Sequence, residues 1–313
     1  MVVRNIAALG RGITGNLDFM TIAACYLSSD GVVLGADSTS TVFVSDPVGQ
    51  SGDYHHFNFA QKVFEFGNNG STAGVLLWGL GSLGDVSYRT LIAEAADEAE
   101  RSYPDGLEGV VDIICSFLWK EYNTAYGHLV TRVSELEKTS EKSEEEWMEF
   151  YNLQQNLSGG LCVGGRWGAS RRFKAFEITF NPSCLKPAVK ELAIGTPKFW
   201  GCPNLIDRLT FGIDEYLYDR ISQSEKWTGS NEELFELVWQ GSLGQPKNIP
   251  LREAIDWIYA SIYTTIKGMK FSHLAPVCGG PIELAVITSD RPFRWVRHKK
   301  LGEAVNSNIR NEN

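Results

Sequence analysis

Two short turn signals near the start of the chain constrain its fold more than any other feature. Asp30-Gly31 joins the apolar run 21–27 (TIAACYL) to the run 31–37 (GVVLGAD). Asn69-Gly70 separates 62–67 (KVFEFG) from 73–81 (AGVLLWGLG). Asp-Gly and Asn-Gly supply the positive φ that two-residue hairpin turns require. Both pairs of runs are therefore expected as antiparallel hairpins. Residues 42–58 (VFVSDPVGQSGDYHHFN), between them, are rich in turn residues and are expected as a long loop.

The hydrophobic period then changes from two to 3.6. Residues 85–102 form an apolar stripe with Asp85 as N-cap, and 107–127 read as a second, buried helix. Strands are expected at 159–165, 172–180 and 189–195, helices at 204–221, 232–241 and 251–268, and a last strand at 281–288. Strands and helices come in blocks. This order favours an α+β architecture of stacked layers with antiparallel sheets over a doubly wound parallel sheet.

Charge and cysteine usage narrow the function classes. The 313 residues carry a net charge of -9, which argues against a nucleic-acid surface spanning the chain. No apolar run approaches the ~18 residues needed to cross a bilayer, so no membrane role is expected. The six cysteines, Cys25, Cys115, Cys162, Cys184, Cys202 and Cys278, are scattered without a C-x-x-C pair. Reduced thiols in a cytoplasm fit this better than a zinc site or a disulfide scaffold. Residues 134–149 hold seven Glu and two Lys and read as a solvated helix or disordered insertion, within an acidic insertion over 128–157. Residues 291–300 hold five Lys or Arg and read as a solvated edge opening a basic tail over 291–313. A basic stretch here has the charge to pair with the acidic insertion.

Three local motifs carry little chemistry by themselves. Gly79-x-Gly81-x-x-Gly84 follows a strand and precedes a helix, as a dinucleotide fingerprint does. A second helix follows where the next strand should be, so a glycine-packed turn is the better reading. Cys278 lies five residues after His273, but a thiol hydrolase needs its base beside the sulfur in space. His55-His56 lacks further ligands at metal spacing, and no metal or cofactor is expected.

The opening run T-I-A-A-C-Y-L-S-S-D-G-V-V-L-G-A-D-S-T-S-T (21–41) resembles the start of mature proteasome β-type subunits. Q-K-V-F-E-F (61–66) is similar to that family's N-K-V-x-x-I strand, and G-V-L-L-W-G-L-G-S (74–82) to its oxyanion-binding turn. A-I-G-T-P-K-F-W-G (193–201) resembles A-I-G-S-G-x-x-Y-A-L-G, and C-G-G (278–280) the family's S-G-G. The resemblance covers roughly residues 20 to 290, with 222–250 and the acidic insertion as extras. It implies the N-terminal-nucleophile hydrolase fold, a four-layer αββα sandwich of two antiparallel sheets flanked by helices. It also implies a threonine-type endopeptidase in a bacterial proteasome-like protein, acting on peptides or unfolded proteins. A homo-oligomeric ring would go with it, and an ATP-dependent unfoldase is a partner such rings take. The alternative is a non-catalytic subunit or scaffold of the same fold.

Carried across position by position, the resemblance makes Thr21 the nucleophile and Lys62 the active-site lysine. Asp37 would hold the lysine, and the Gly79 amide would bind the oxyanion. Thr196 falls where the family has an active-site serine, and Cys278 replaces the serine of S-G-G. Ala275 stands where the family has an accessory aspartate, so the supporting hydrogen-bond network is altered. The chemistry needs a base for a poorly nucleophilic hydroxyl. The α-amine of an N-terminal Thr21 would supply it, with an ordinary pKa near ~7.7–8.0. A fixed Lys62 cation would favour both the neutral amine and the alkoxide. Residues 1–20 then have to be absent from the working chain. They are expected to be either a removed propeptide or an extension upstream of a start at Met20.

Overall fold

The computed structural model describes residues 21–45, 52–67, 72–272 and 277–299, and side chains outside 41–56. The first hairpin is β1 (Ile22–Leu27) and β2 (Gly31–Ala36). Next come β3 (Ser40–Ser45), β4 (Gly52–Phe57), β5 (Val63–Phe66) and β6 (Thr72–Trp78), then the two-residue strands β7 (Ser82–Leu83) and β8 (Val86–Ser87). Three helices follow, α1 (Tyr88–Ser102), α2 (Gly106–Lys138) and α3 (Glu144–Leu157). The chain returns to strands with β9 (Gly159–Arg166), β10 (Lys174–Phe180), β11 (Ala188–Glu191) and β12 (Pro197–Gly201). Helices α4 (Asn204–Phe211), α5 (Glu215–Ser222), α6 (Asn231–Trp239) and α7 (Leu251–Phe271) precede β13 (Glu283–Thr288) and β14 (Arg294–Arg297).

Two five-stranded sheets, of order β12-β1-β2-β13-β14 and β11-β10-β9-β6-β5, carry the architecture. Every strand pairing in them is antiparallel. The β1–β2 hairpin forms as expected but by a different turn: neither Asp30 nor Gly31 has a positive φ, and the Ser28 hydroxyl closes the turn by accepting the amides of both. Period-two alternation sends neighbouring side chains of one strand into different cores. Ala23, Cys25 and Leu27 of β1 pack with Leu76, Trp78 and Cys162 of the other sheet. Ile22, Ala24 and Tyr26 pack instead with Ala254, Ile258 and Ile262 of α7. On the second sheet, Val75, Leu161 and Ile178 meet Val110, Ile114 and Leu118 of α2. The indoles of Trp78 and Trp200 stack across the two sheets, centroids 4.5 Å apart. Among the described residues no helix is long and apolar enough to cross a membrane.

Several expectations need correction. Residues 40–45 and 52–57, expected mostly as loop, form the hairpin β3–β4, with Ser40 opposite Phe57 and Ser45 opposite Gly52. The β-branched and aromatic run Thr41-Val42-Phe43-Val44 carries that strand, and the flanking turn residues masked it. Helix α1 starts at Tyr88, not at Asp85, because β7–β8 occupies the turn and Ser87 caps the Thr90 amide. The expected helix 107–127 runs on to Lys138. The acidic segment is solvated helix and not disordered, with one break at 139–143. It forms the end of α2 and the start of α3, where Ser143 and Glu146 make a capping box. Arg132 clamps Glu149 with two bonds of 2.9 and 2.7 Å, which ties the end of α2 to α3.

The expected helix 204–221 is two helices. Gly212 sits at φ 84°, a left-handed conformation that ends α4, and Asp214 then caps the Leu217 amide of α5. Nearby, burial first and the Asp214 charge second push the Asp207 carboxyl up to about 6 from 3.8. The folded chain therefore holds a proton that the unfolded chain releases between those values, and stability falls as pH rises through that window. Asp207→Asn is expected to stabilise the protein at pH 7 by about 1 kcal/mol after discounting for solvent screening, with the gain gone by about pH 4. Urea midpoints of both proteins across pH 4–7 check this.

Candidate active site

The first hairpin brings Thr21 and Asp37 together by register. Ala23 lies opposite Ala36, so the residues before β1 and after β2 fall at the same end of the ladder. Asp37 is fully buried and receives four hydrogen bonds. The Ile22 amide and Lys62 Nζ donate to Oδ1 at 3.1 and 2.6 Å. The Thr39 and Gly279 amides donate to Oδ2 at 3.2 and 3.0 Å. A buried carboxylate demands such partners. The Gly279 bond also ties the C-G-G segment to the site.

Lys62 arrives from the other sheet. It precedes β5, and its carbonyl accepts the Leu77 amide at 2.9 Å, which extends the β5–β6 ladder by one residue. Its Nζ donates to Thr21 Oγ1 at 2.7 Å while paired with Asp37. Lys62 is 7% exposed and Thr21 3%, so this charge acts where water screens it little. Thr21, Lys62 and Asp37 thus form one contiguous hydrogen-bonded cluster built from both sheets.

The remaining candidates divide. Gly79 follows β6 with φ 80°, two residues beyond the Leu77 amide that bonds Lys62. Gly84 belongs to the β7–β8 turn, and its amide donates to the Tyr126 hydroxyl at 3.1 Å. The glycine triplet therefore opens a small hairpin and not a phosphate-binding helix. Thr196 is a correction. β12 runs antiparallel to β1 with Pro197 opposite Tyr26 and Gly201 opposite Ile22. Thr196 accordingly lies opposite Leu27, at the far end of the strand from Thr21, about 20 Å away at ~3.3 Å per residue. His273 and Ala275 lie outside the described residues, as do the side chains of His55 and His56. Among the described residues no group of three or more His, Cys, Asp or Glu could hold a metal ion.

What the sequence did not reveal is the other end of β12. Gly201 and Cys202 abut Thr21, and the Cys202 amide donates to the Thr21 carbonyl at 2.8 Å. A Cβ on Gly201 would stand 2.0 Å from that carbonyl, and φ there is 86°. Gly201→Ala should cost about 1–3 kcal/mol from backbone strain alone and displace Thr21, to be read as a lower urea midpoint. Cys278 is buried against Cys202, and that contact first, with burial second, pushes its thiol well above the ordinary range. It stays protonated at neutral pH, which is a packing partner's state and not an attacking thiolate's. No local sequence signal marks Cys202, because only the β1–β12 register brings it to Thr21.

No family model matches the sequence, and no curated protein matches it. Solved structures do. An Anbu (Gly-1) mutant from Hyphomicrobium sp. strain MC1 is 11% identical, with TM-score 0.49 over 93% of this chain and 95% of that one. Anbu (ancestral beta-subunit) from Yersinia bercovieri is 12% identical, with TM-score 0.41 over 94% and 98%. The Anbu complex from Pseudomonas aeruginosa, solved as a helical assembly, is 12% identical, with TM-score 0.39 over 93% and 92%. These findings correct the resemblance to proteasome β-type subunits: the three solved structures named above are Anbu proteins, and no model of the subunit family matches. Apart from Q-K-V-F-E-F, the pieces that carried the resemblance lie at hairpin turns and glycine-rich strand ends. Antiparallel sheets demand such residues whatever their ancestry.

Proposed function

We propose that the chain is an N-terminal-nucleophile hydrolase that cleaves peptide bonds with Thr21 as its nucleophile. The observation that carries this reading is Lys62 Nζ at 2.7 Å from Thr21 Oγ1 and 2.6 Å from Asp37 Oδ1. A lysine donating to the hydroxyl oxygen favours its alkoxide form and leaves the hydroxyl proton to another base. The free α-amine of Thr21 would take that proton as Oγ1 attacks the scissile carbonyl. The Gly79 amide would donate to the resulting oxyanion, a contribution of about 2.7–4 kcal/mol in comparable sites. The amine then protonates the leaving nitrogen, giving an ester on Thr21 and a free peptide amine. Water, activated by the same amine, hydrolyses the ester. Cys278 and Thr196 take no part.

The fold that goes with this chemistry is a helix, sheet, sheet, helix sandwich. Its support is the three cores, one between the sheets and one beneath each helical face. Substrates would be extended peptides or unfolded proteins.

A second reading, a non-catalytic subunit, is favoured by one fact. Thr21 follows Met20 in the sequence, so its nitrogen is an amide until residues 1–20 are absent. Intact mass of the purified protein separates the two. A chain beginning at Thr21 that forms an ester adduct with a slow acylating peptide supports the hydrolase. A chain retaining residues 1–20 with no adduct supports the scaffold.

Self-association is part of the proposal. Phe235, Leu237, Trp239 and Leu243 are exposed on and after α6, with the Phe235 and Trp239 rings stacked at 5.8 Å. Apolar clusters of this kind mark contact surfaces. Light scattering is expected to give a mass above that of one chain, and Leu237→Glu to reduce it. A strict monomer at micromolar concentration would count against assembly.

A further inference from the structure

The Asp37–Lys62 pair adjoins a second buried pair that the proposed chemistry does not use. Glu283 is fully buried, and Lys299 is 9% exposed. Lys299 Nζ lies 3.2 Å from Glu283 Oε1. The same ammonium donates to the Ala60 carbonyl at 2.6 Å and to Ser38 Oγ at 3.2 Å. Ser38 follows Asp37 directly, and Ala60 is two residues before Lys62. These two segments also bond each other, the Ala60 amide donating to the Ser38 carbonyl at 3.0 Å.

The anchor of this contact is well fixed. Glu283 stands opposite Ala36 in the β2–β13 ladder. His298 Nδ1 lies 2.8 Å from the same Glu283 oxygen, and its ring stacks on Trp295 at 4.1 Å. Neither Glu283 oxygen has an aligned hydrogen bond among the described residues, so nearby positive charge is what offsets its burial. Burial first lowers the proton affinity of Lys299. Glu283 opposes that effect, while Lys62 and Arg89 add to it. A buried ion pair is a poor stability device, since apolar replacements of similar size are often as stable. Lys299 is also out of place as a tail residue. Residues 294–297 form edge strand β14, and the chain then turns Lys299 inward towards the segments that carry the site.

We infer that Lys299, held by Glu283, is a positioning residue for the Thr21 site: by joining the segment after Asp37 to the segment before Lys62, it fixes Lys62 Nζ against Thr21 Oγ1. The activity part of this inference rests on the hydrolase reading, whereas its geometric part does not.

The test uses the full chain beginning at Thr21. Lys299→Met alone leaves the buried Glu283 charge with only His298 beside it, and a loss of stability is expected for that reason alone. The informative protein is the double variant Lys299→Met with Glu283→Leu, which removes both charges and should recover the thermal midpoint of the parent. A purely structural role then predicts full recovery of turnover. Positioning predicts a kcat on fluorogenic peptides lower by on the order of tenfold to a hundredfold, with KM nearly unchanged. Crystal structures of parent and double variant supply the independent arm, with Lys62 Nζ expected beyond hydrogen-bond reach of Thr21 Oγ1 in the variant. A double variant with the Lys62–Thr21 contact intact overturns the inference, as does one with parental kcat. If the parent itself turns over no peptide, the hydrolase reading fails, and the crystallographic distance alone decides the role of Lys299.

Discussion

Thr21→Ala in a chain beginning at residue 21 is expected to abolish peptide hydrolysis, a loss on the order of a millionfold for removal of a nucleophile. The hydroxyl is the atom that Lys62 contacts at 2.7 Å, and alanine offers nothing in its place. The fold should survive. Lys62 keeps its 2.6 Å bond to Asp37, and the Thr21 carbonyl keeps its bond from the Cys202 amide. Circular dichroism and a urea midpoint near that of the parent would show this. Thr21→Ser should retain measurable turnover, because the oxygen remains. Parental turnover by Thr21→Ala on fluorogenic peptides would end the threonine-nucleophile reading.

Lys62→Ala should lose both stability and turnover, and the first loss is the more diagnostic of the cluster. Asp37 has no exposure, and removing its partner leaves a buried charge. Breaking such a pair typically costs about 3–5 kcal/mol. Three backbone amides, those of Ile22, Thr39 and Gly279, still donate to the carboxylate, which places the expected cost at the lower end. Urea denaturation measures it. Adding Asp37→Ala should return part of the stability, since no unpaired charge remains, yet no activity should return with it. An unchanged midpoint in Lys62→Ala would mean that the pair is not buried as described.

The two predictions rest on contacts of different range, and that difference decided what was legible beforehand. Thr21 and Asp37 flank one hairpin whose turn is closed locally by Ser28, its hydroxyl accepting the Asp30 and Gly31 amides, so their proximity follows from local turn chemistry. Lys62 belongs to a different sheet. Only the packing of β1 and β2 against β5 and β6, through residues such as Val63 and Leu76, brings its ammonium to Thr21. The motif order pointed to Lys62 without giving this physical cause. The same reasoning explains the failure at Thr196. The strand 197–201 and its glycine were there to be seen, but a motif cannot say which end of an antiparallel partner meets Thr21. Register between strands nearly 180 residues apart is fixed by which faces can be buried together.

Sequence by itself determined the antiparallel hairpins, the block order of strands and helices, and the hairpin that sets Thr21 beside Asp37. All of these follow from turn residues and hydrophobic period acting over a few residues. Tertiary structure alone decided the approach of Cys202 and Gly201 to Thr21 and the inward turn of Lys299 onto Ser38 and Ala60. These are long-range contacts whose partners are chosen by burial of charge and shared cores. The chain order of residues does not encode such convergence locally, because a buried charge finds its counterpart only after the sheets have packed.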